Sequence, residues 1–191
     1  MQELILASKS PRRQALLKLL QVPFRILTAE TSEDFEPSLS PKEIVMNLAL
    51  RKGKAVCNLY PAGTADKLVL AADTIVVLDG DVLNKPNDEN HAFEMLSKLQ
   101  GRTHEVFTGF ALMRGKEAVT DFERTAVTFS PMSAEEIRTY IRTAKPFDKA
   151  GAYGIQDDFG ACFIERIEGC YYNVVGLPLA KLYKTLKQFQ A

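Results

Sequence analysis

An apolar segment from Leu68 to Leu78 constrains the fold of this chain most strongly. It is strand-like throughout, except for two polar residues at its middle, Asp73 and Thr74. Asp79-Gly80 follows directly and separates it from the apolar pair Val82-Leu83, a pattern typical of a two-residue β-hairpin. A carboxylate inside such a segment is costly to bury unless it is hydrogen-bonded, ion-paired or bound to a metal. Asp73 is therefore a candidate functional residue, unless the strand simply emerges from the core there.

The chain opens with the pattern strand, tight loop, helix. Leu4 to Ala7 is a short apolar run, and apolar residues then recur at helical spacing from Ala15 to Leu20. Ser10 is the predicted N-cap and Pro11 the first helical residue, where a missing N–H costs nothing. A second strand is predicted over Phe24 to Leu27.

The rest of the chain alternates helices with strands, but hairpins interrupt the alternation. This order favours a mixed sheet flanked by helices over a purely parallel one. No repeat or linker is evident, so we expect one α/β domain over residues 1–191, either undivided or with its sheet split into two lobes. The further predicted helices are Ser40 to Val56, Asp88 to Leu99, Ser133 to Ile141 and Pro178 to Phe189; the further strands are Glu105 to Met113, Ala118 to Phe129 and Cys162 to Ile167.

Composition excludes several classes of function. Lys plus Arg equals Asp plus Glu, 24 each, so no global field favours nucleic acid or an anionic membrane. The start of the sequence has the wrong charge order for a secretory signal, and no apolar run approaches the ~20 residues of a membrane span. The three cysteines form no CxxC pair, which indicates a reducing compartment. We expect a cytoplasmic protein that binds neither nucleic acid nor membrane.

A candidate anion site lies in the loop and first helical turn, Ser8-Lys9-Ser10-Pro11-Arg12-Arg13. A helix N-terminus presents unpaired N–H groups and the positive end of the helix dipole, and two hydroxyls and two guanidiniums stand beside it. The alternative is a capped helix with a basic solvent-exposed face. The segment is not a Walker loop, because G-x-x-x-x-G-K is absent.

Two further segments could contribute to a site. The acidic stretch from Glu30 to Glu36 could supply an oxygen ligand for Mg²⁺, although many acidic loops are simply solvated. The glycine-rich segment from Asp148 to Gln156 could approach a ligand closely, or could be an ordinary turn. His104 has no His or Cys partner at metal-ligand spacing, and we interpret it as structural.

Eight ordered segments stand out along nearly the whole chain: LILASKSPRRQALL, Glu33 in the acidic loop, LALRKGKA with Lys52, AADTIVV, Asn84-Lys85-Pro86, GRTHEVFTGF, DKAGAYGIQ and NVVGLPLAKLY. Taken together, these segments resemble the Maf family of nucleotide pyrophosphatases. The sequence departs from the family pattern in three places: Gly53 stands where Ala is usual, Asn84 where Gly is usual, and Asp157-Asp158 where a Gly is common.

The resemblance implies a fold similar to the inosine triphosphate pyrophosphatases, with an elongated mixed sheet, two lobes and a central cleft for the nucleotide. It also implies hydrolysis of a nucleoside triphosphate to the monophosphate and pyrophosphate, a Mg²⁺ or Mn²⁺ requirement, and a homodimer. Arg12, Thr74 and Gln156 match the specificity positions of the branch that acts on dTTP and UTP. A different class of function, a nucleotide-binding regulator of septum formation, stays open at this point.

The resemblance and the residue chemistry together suggest a role for each candidate. Asp73 is the expected general base, with a second contact to the metal, and Glu33 is the expected metal ligand. Positive charge would neutralise the phosphates. The expected phosphate-binding residues are Ser8, Arg13, Lys52 and Lys85.

Overall fold

The structure, a computed structural model, describes residues 3–156 and 160–190; Asp157 and Asp158 lie outside the described residues. Within these ranges the chain forms one mixed sheet of seven strands with helices flanking it. The strands are β1 (Leu4–Leu6), β2 (Phe24–Ile26), β3 (Leu68–Leu78), β4 (Asp81–Leu83), β5 (Thr103–Arg114), β6 (Glu117–Phe129) and β7 (Ile164–Glu168).

The five predicted helices begin within one residue of their expected starts. No helix within the described residues has both the length and the apolar character that crossing a bilayer would take. The helices are α1 (Pro11–Leu19), α2 (Pro41–Leu59), α3 (Pro61–Thr64), α4 (Glu89–Leu99), α5 (Ala134–Ala144), α6 (Tyr171–Val175) and α7 (Leu179–Gln190).

The strand order is β2-β1-β3-β5-β6-β7, with β4 paired to β3. β1 runs parallel to both β2 and β3, whereas β4 is antiparallel to β3 and β7 is antiparallel to β6. The mixed sheet predicted from the interrupted alternation is therefore confirmed. Asp79 and Gly80 both have positive φ angles, 54° and 92°, and Leu78 pairs with Asp81 across them, which confirms the predicted hairpin.

Side-chain caps define the helix starts. The Ser10 side chain accepts a hydrogen bond from the Arg13 N–H at the start of α1. Capping boxes open α2 and α5, in which Glu43 pairs with Ser40 and Glu136 with Ser133. Each cap satisfies N–H groups that have no partner inside the helix. The sequence motifs that predicted these starts therefore act through local hydrogen bonds.

The chain divides into two compact units. The first contains the residues up to Thr74, then Thr108–Glu123, and the residues from Gly176 onward. Its core includes Ile5 of β1, Val56 of α2 and Ala71 of β3. The second contains Ile75–Phe107 and Arg124–Val175, and α4 packs against α5 within it. The sheet's elongation and the cleft expected from the resemblance stay predictions.

The short elements differ most from the prediction. β2 ends one residue early, β7 begins at Ile164 rather than near Cys162, and α2 extends beyond Val56 to Leu59. The single-turn helix α3 and the five-residue helix α6 were not predicted. Such short helices span too few residues to show a hydrophobic period.

Candidate active site

β3 presents Asp73 and Thr74 on opposite faces, because successive side chains of a strand alternate. Ala71 therefore shares a face with Asp73. Gly53 of α2 lies against Ala71, since a Cβ atom on this glycine would stand 3.5 Å from the Ala71 Cβ. α2 thus covers the face that carries Asp73, and Lys52, the neighbour of Gly53, reaches that carboxylate.

The Lys52 ammonium joins two carboxylates. It donates to Glu33 Oε1 at 2.7 Å and to Asp73 Oδ1. Asp73 is buried, 6 % exposed, whereas the Glu33 side chain is 49 % exposed. β3 continues through Asp73 to Leu78, so the alternative of a strand end at this residue is wrong. The buried carboxylate is instead ion-paired, which offsets the loss of its hydration.

On the other face of β3, Arg13 of α1 donates to the Thr74 hydroxyl. The Arg13 Nη2 to Thr74 Oγ1 distance is 2.9 Å, and Nε donates to the Gly176 carbonyl, also at 2.9 Å. The Thr74 hydroxyl also shares a hydrogen bond with Thr108 Oγ1 of β5, at 2.9 Å. Burial lowers the pKa of Arg13, and the negative charge of Asp73 opposes that shift. A hydrogen-bonded guanidinium therefore stands in the field of the Asp73 carboxylate.

The hydroxyls at the start of α1 are engaged within their own loop. Ser8 is buried and its Oγ accepts from the Ser10 N–H at 3.2 Å, while Ser10 Oγ accepts from the Arg13 N–H at 3.4 Å. No acidic residue lies in the first turn, and Arg12 is close enough to lower the pKa of Arg13. This corner concentrates positive charge at the positive end of a helix dipole, where an anion is favoured.

Two carboxylates fit a divalent cation only if the substrate completes the ligand set. Glu33 and Asp73 both direct an oxygen at the same ammonium group, so their oxygens converge on one cation position. The described residues contain no group of three or more His, Cys, Asp or Glu side chains placed to hold a metal. Mg²⁺ commonly binds through one or two carboxylates plus substrate phosphates and water, and this donor set is compatible with that mode.

Lys85 and Gln156 belong to the second unit, whereas the other seven candidate residues belong to the first. Lys85 is exposed in the loop after β4, and Gln156 is exposed in a turn. The Gly151 N–H donates to the Asn84 carbonyl at 3.2 Å. The two segments that carry Lys85 and Gln156 are therefore hydrogen-bonded to one another within that unit.

The sequence analysis did not single out Thr108, which supports Arg13 through Thr74, or Gly176, which supports it directly. Thr108 is fully buried on an apolar strand, the same signal that singled out Asp73. Gly176 has a φ of 126°, a conformation that favours glycine, and its carbonyl accepts from Arg13. A polar residue within an apolar strand could have indicated Thr108, but no sequence signal reveals a backbone carbonyl as a ligand.

His104 lies in the second unit, among aromatic side chains. It is buried, and its Nε2 lies 2.7 Å from the Tyr153 hydroxyl oxygen. Its ring packs edge-on against Phe129, with 5.0 Å between centroids. Burial lowers the pKa of His104 to about 4, so the ring is neutral at neutral pH. This environment agrees with the structural role expected from the sequence.

Comparison with known proteins supports the resemblance to the Maf family. A dTTP/UTP pyrophosphatase of Chlorobaculum tepidum is 52 % identical over 185 residues, covering 97 % of this chain and 94 % of that protein. A dTTP/UTP pyrophosphatase of Bacillus cereus is 50 % identical over 189 residues, covering 99 % of this chain and 96 % of that protein.

Among solved structures, the Staphylococcus aureus Ham1 protein is a remote match. It is 16 % identical, has a TM-score of 0.45, and covers 67 % of this chain and 72 % of that chain. So weak a likeness adds nothing to the assignment. The family profile described as Maf-like protein, in contrast, matches residues 3–189. With that match and relatives about half identical over nearly their full length, the chain belongs to the Maf family.

Proposed function

We propose that this protein hydrolyses dTTP and UTP to the monophosphate and pyrophosphate, in a reaction that requires Mg²⁺ or Mn²⁺. The observation that carries the proposal is the Glu33–Lys52–Asp73 cluster, with the hydrogen-bonded Arg13 in the field of Asp73. This combination offers a buried base, a cation position and fixed positive charge, which phosphoryl chemistry needs. The names of relatives about 50 % identical add support for the substrates.

In the proposed reaction the water oxygen bonds to the α-phosphorus. The bond between that phosphorus and the α,β-bridging oxygen breaks, and its electron pair leaves with pyrophosphate. Asp73 accepts one proton of the water; the Lys52 contact occupies Oδ1, so we assign Oδ2 to this step. Arg13 and Lys52 stabilise the charge that develops on the leaving pyrophosphate, together with Ser8 and Lys85.

Glu33 and Asp73 would hold the divalent cation, since their oxygens already converge on one ammonium group. When bound, the cation would supply positive charge that polarises the phosphoryl group. Lys52 would keep a phosphate-binding role if the cation takes its place at Glu33 Oε1 and Asp73 Oδ1 and its ammonium turns to the substrate.

For specificity, we propose that Arg12 and Gln156 read the base and that Thr74 acts through its hydrogen bond to Arg13. The edge of uracil or thymine presents two carbonyl acceptors and one N–H donor, which a guanidinium and an amide complement. The cellular role that fits is control of the nucleotide pool in the cytoplasm. The free cysteines Cys57, Cys162 and Cys170 agree with a reducing compartment, and the homodimer rests on the family resemblance alone.

Product analysis tests the activity. The purified protein is incubated with Mg²⁺ or Mn²⁺ and a panel of nucleoside triphosphates that includes dTTP, UTP and 7-methyl-GTP. We expect monophosphate and pyrophosphate in equal amounts from dTTP and UTP. Stepwise release of inorganic phosphate would identify a phosphatase instead and would overturn the proposal.

The base preference has its own test. Replacing Arg12, Thr74 and Gln156 together by Trp, Gln and Glu should reduce kcat/KM for dTTP and UTP at least about tenfold. A 7-methylated guanine is cationic, so the new Trp and Glu should favour it. Unchanged kcat/KM for dTTP and UTP would contradict the assigned roles.

A regulator of septum formation is not favoured. Relatives 50 to 52 % identical to this chain carry the name of an enzymatic activity. Tight nucleotide binding without turnover in the same assay would reverse this preference.

A further inference from the structure

The loop that carries Glu33 has little support from the hydrophobic core. All of residues 30–38 are described, and none of them is fully buried. The loop lies between β2 and α2 and contains no helix or strand. A carboxylate on such a loop would sample many positions unless polar contacts held it. The position of Glu33 must therefore be fixed by hydrogen bonds and ion pairs.

Arg51 of α2 supplies such contacts on both sides of Glu33. Its Nη1 atom donates to the Ser32 carbonyl at 3.0 Å and to the Asp34 carbonyl at 2.8 Å. Ser32 Oγ accepts from the Asp34 N–H at 3.0 Å and donates to Asp34 Oδ2 at 2.6 Å. One guanidinium nitrogen thus binds the backbone before and after Glu33, while the hydroxyl closes the turn between them.

Arg51 and Lys52 contact different parts of the loop that carries Glu33. They are consecutive on α2, so their side chains leave the helix about 100° apart. Lys52 binds the Glu33 carboxylate and Asp73, whereas Arg51 donates to the main chain of the loop. The same helix therefore sets both the backbone of the loop and the direction of its carboxylate.

We propose that Arg51 is a positioning residue that holds the Ser32–Asp34 turn so that Glu33 faces Lys52 and Asp73. The consequence for metal binding rests on the function proposed above for Glu33. Groups that orient a metal ligand typically change metal affinity 10- to 100-fold when removed. Arg51 is exposed, so its replacement removes two hydrogen bonds without opening a cavity in the core.

The first experiment measures the turn itself by amide hydrogen exchange in residues 30–36. R51M should accelerate exchange in this segment about tenfold. The matched control is K54M, which removes an exposed cation one helical turn along α2. This readout needs no catalytic activity, so it tests the positioning of the turn even if the proposed function fails. Equal exchange in R51M and K54M would overturn the proposal.

The second experiment asks whether Arg51 acts through Glu33. R51M should raise the Mn²⁺ concentration for half-maximal dTTP hydrolysis about tenfold, with kcat at saturating Mn²⁺ within about threefold of wild type. R51K should recover part of the loss, because an ammonium can donate to both carbonyls but lacks the planar fork. K54M should leave the Mn²⁺ dependence unchanged.

A double-mutant cycle separates this role from a general structural one. In an E33Q background, R51M should change the half-saturating Mn²⁺ concentration less than about twofold, because the residue it positions has lost its charge. The same tenfold change in both backgrounds would overturn the proposal. Absence of hydrolysis in the wild-type protein would instead contradict the proposed function, and the exchange comparison would still decide the role of Arg51.

Discussion

The Lys52–Asp73 pair and the His104–Tyr153 pair each join a buried residue of the sheet to a residue outside it, but they belong to different compact units and differ in charge. Lys52 and Asp73 form a salt bridge, and their neighbour Glu33 is 49 % exposed. His104 and Tyr153 are neutral, because burial lowers the pKa of the imidazole to about 4 and raises that of the phenol. Burial of a polar group therefore does not by itself identify a site.

The Lys52–Asp73 pair differs from the His104–Tyr153 pair because it is charged and is linked to solvent through Glu33. The neutral pair shares one hydrogen bond and packs edge-on against aromatic rings. Asp73 is itself buried, but its partner Lys52 also binds the half-exposed Glu33, so the charge of this cluster extends to solvent, where a ligand can replace a protein partner. The pair of Lys52 and Asp73 has that property and the pair of His104 and Tyr153 does not, and four predictions test the distinction.

The largest effect is expected at Asp73. D73N keeps the shape and removes the negative charge, so kcat should fall about 10²- to 10⁴-fold while the fold remains. Steady-state kinetics and thermal unfolding measure the two parts. D79N in the second unit is the control, because it removes the exposed carboxylate that pairs with Arg102, 2.6 Å away, and should leave kcat unchanged. Full activity in D73N would exclude it as the base.

The next effect concerns His104 and pH. Its pKa falls from 6.5 to about 4 on folding, so the unfolded state binds more protons between these values. The free energy of unfolding should therefore decrease as the pH falls below 6.5, the pKa of His104 in the unfolded chain. The expected decrease is about 2 kcal/mol between about pH 7 and about pH 5. Urea unfolding at the two pH values measures the loss.

The H104Q variant has no titrating group at this position, so its free energy of unfolding should not show the decrease attributed to His104. The chain has two histidines, and H91Q is the matched control that should retain it. An equal loss of stability in wild type and H104Q would show that His104 is not the neutral group the comparison requires.

A smaller effect is expected at Thr108. T108V removes the hydrogen bond to Thr74, which in turn positions Arg13, so kcat/KM for dTTP should fall about five- to tenfold, or about 1 kcal/mol. T103V is the matched control in the second unit, where Thr103 and Thr128 share a hydroxyl pair of the same 2.9 Å length. Equal kinetics in the two variants would remove Thr108 from the site.

The smallest effect concerns Gly53, where the family commonly has Ala. A Cβ atom would come within 2.7 Å of the Met113 Sδ, near the end of a flexible side chain. Because Ala favours a helix by about 1 kcal/mol over Gly, we expect G53A to stabilise the protein by about 0.5 kcal/mol after Met113 shifts. A55G on the same helix should destabilise it by about 1 kcal/mol. Urea unfolding distinguishes the two.

The sequence predicted best where local chemistry decides. Caps and capping boxes at Ser10, Ser40 and Ser133, and the Asp79-Gly80 hairpin, depend on neighbours within a few residues. The polar interruption of β3 correctly indicated a buried carboxylate that needs a partner. These features follow from propensity and hydrogen-bonding rules that act along the chain.

Contacts made by tertiary packing were not predictable. The Arg13 bond to the Gly176 carbonyl and the Arg51 bonds to the Glu33 turn depend on which elements meet in space. Neither leaves a pattern in the residues nearby. The role of Thr74 also became specific only in the structure, where its hydroxyl contacts Arg13 and Thr108 rather than standing alone.

The hydrogen bond between Arg13 and Gly176 spans 163 positions of the chain. The first unit is also discontinuous, since it takes its last residues from Gly176 onward. A chain released from synthesis before Gly176 would lack the carbonyl that orients Arg13. In the full chain, the segment between the two residues must close into a loop before this hydrogen bond can form. A truncated product would therefore carry the proposed phosphate-binding residues without the contact that orients Arg13.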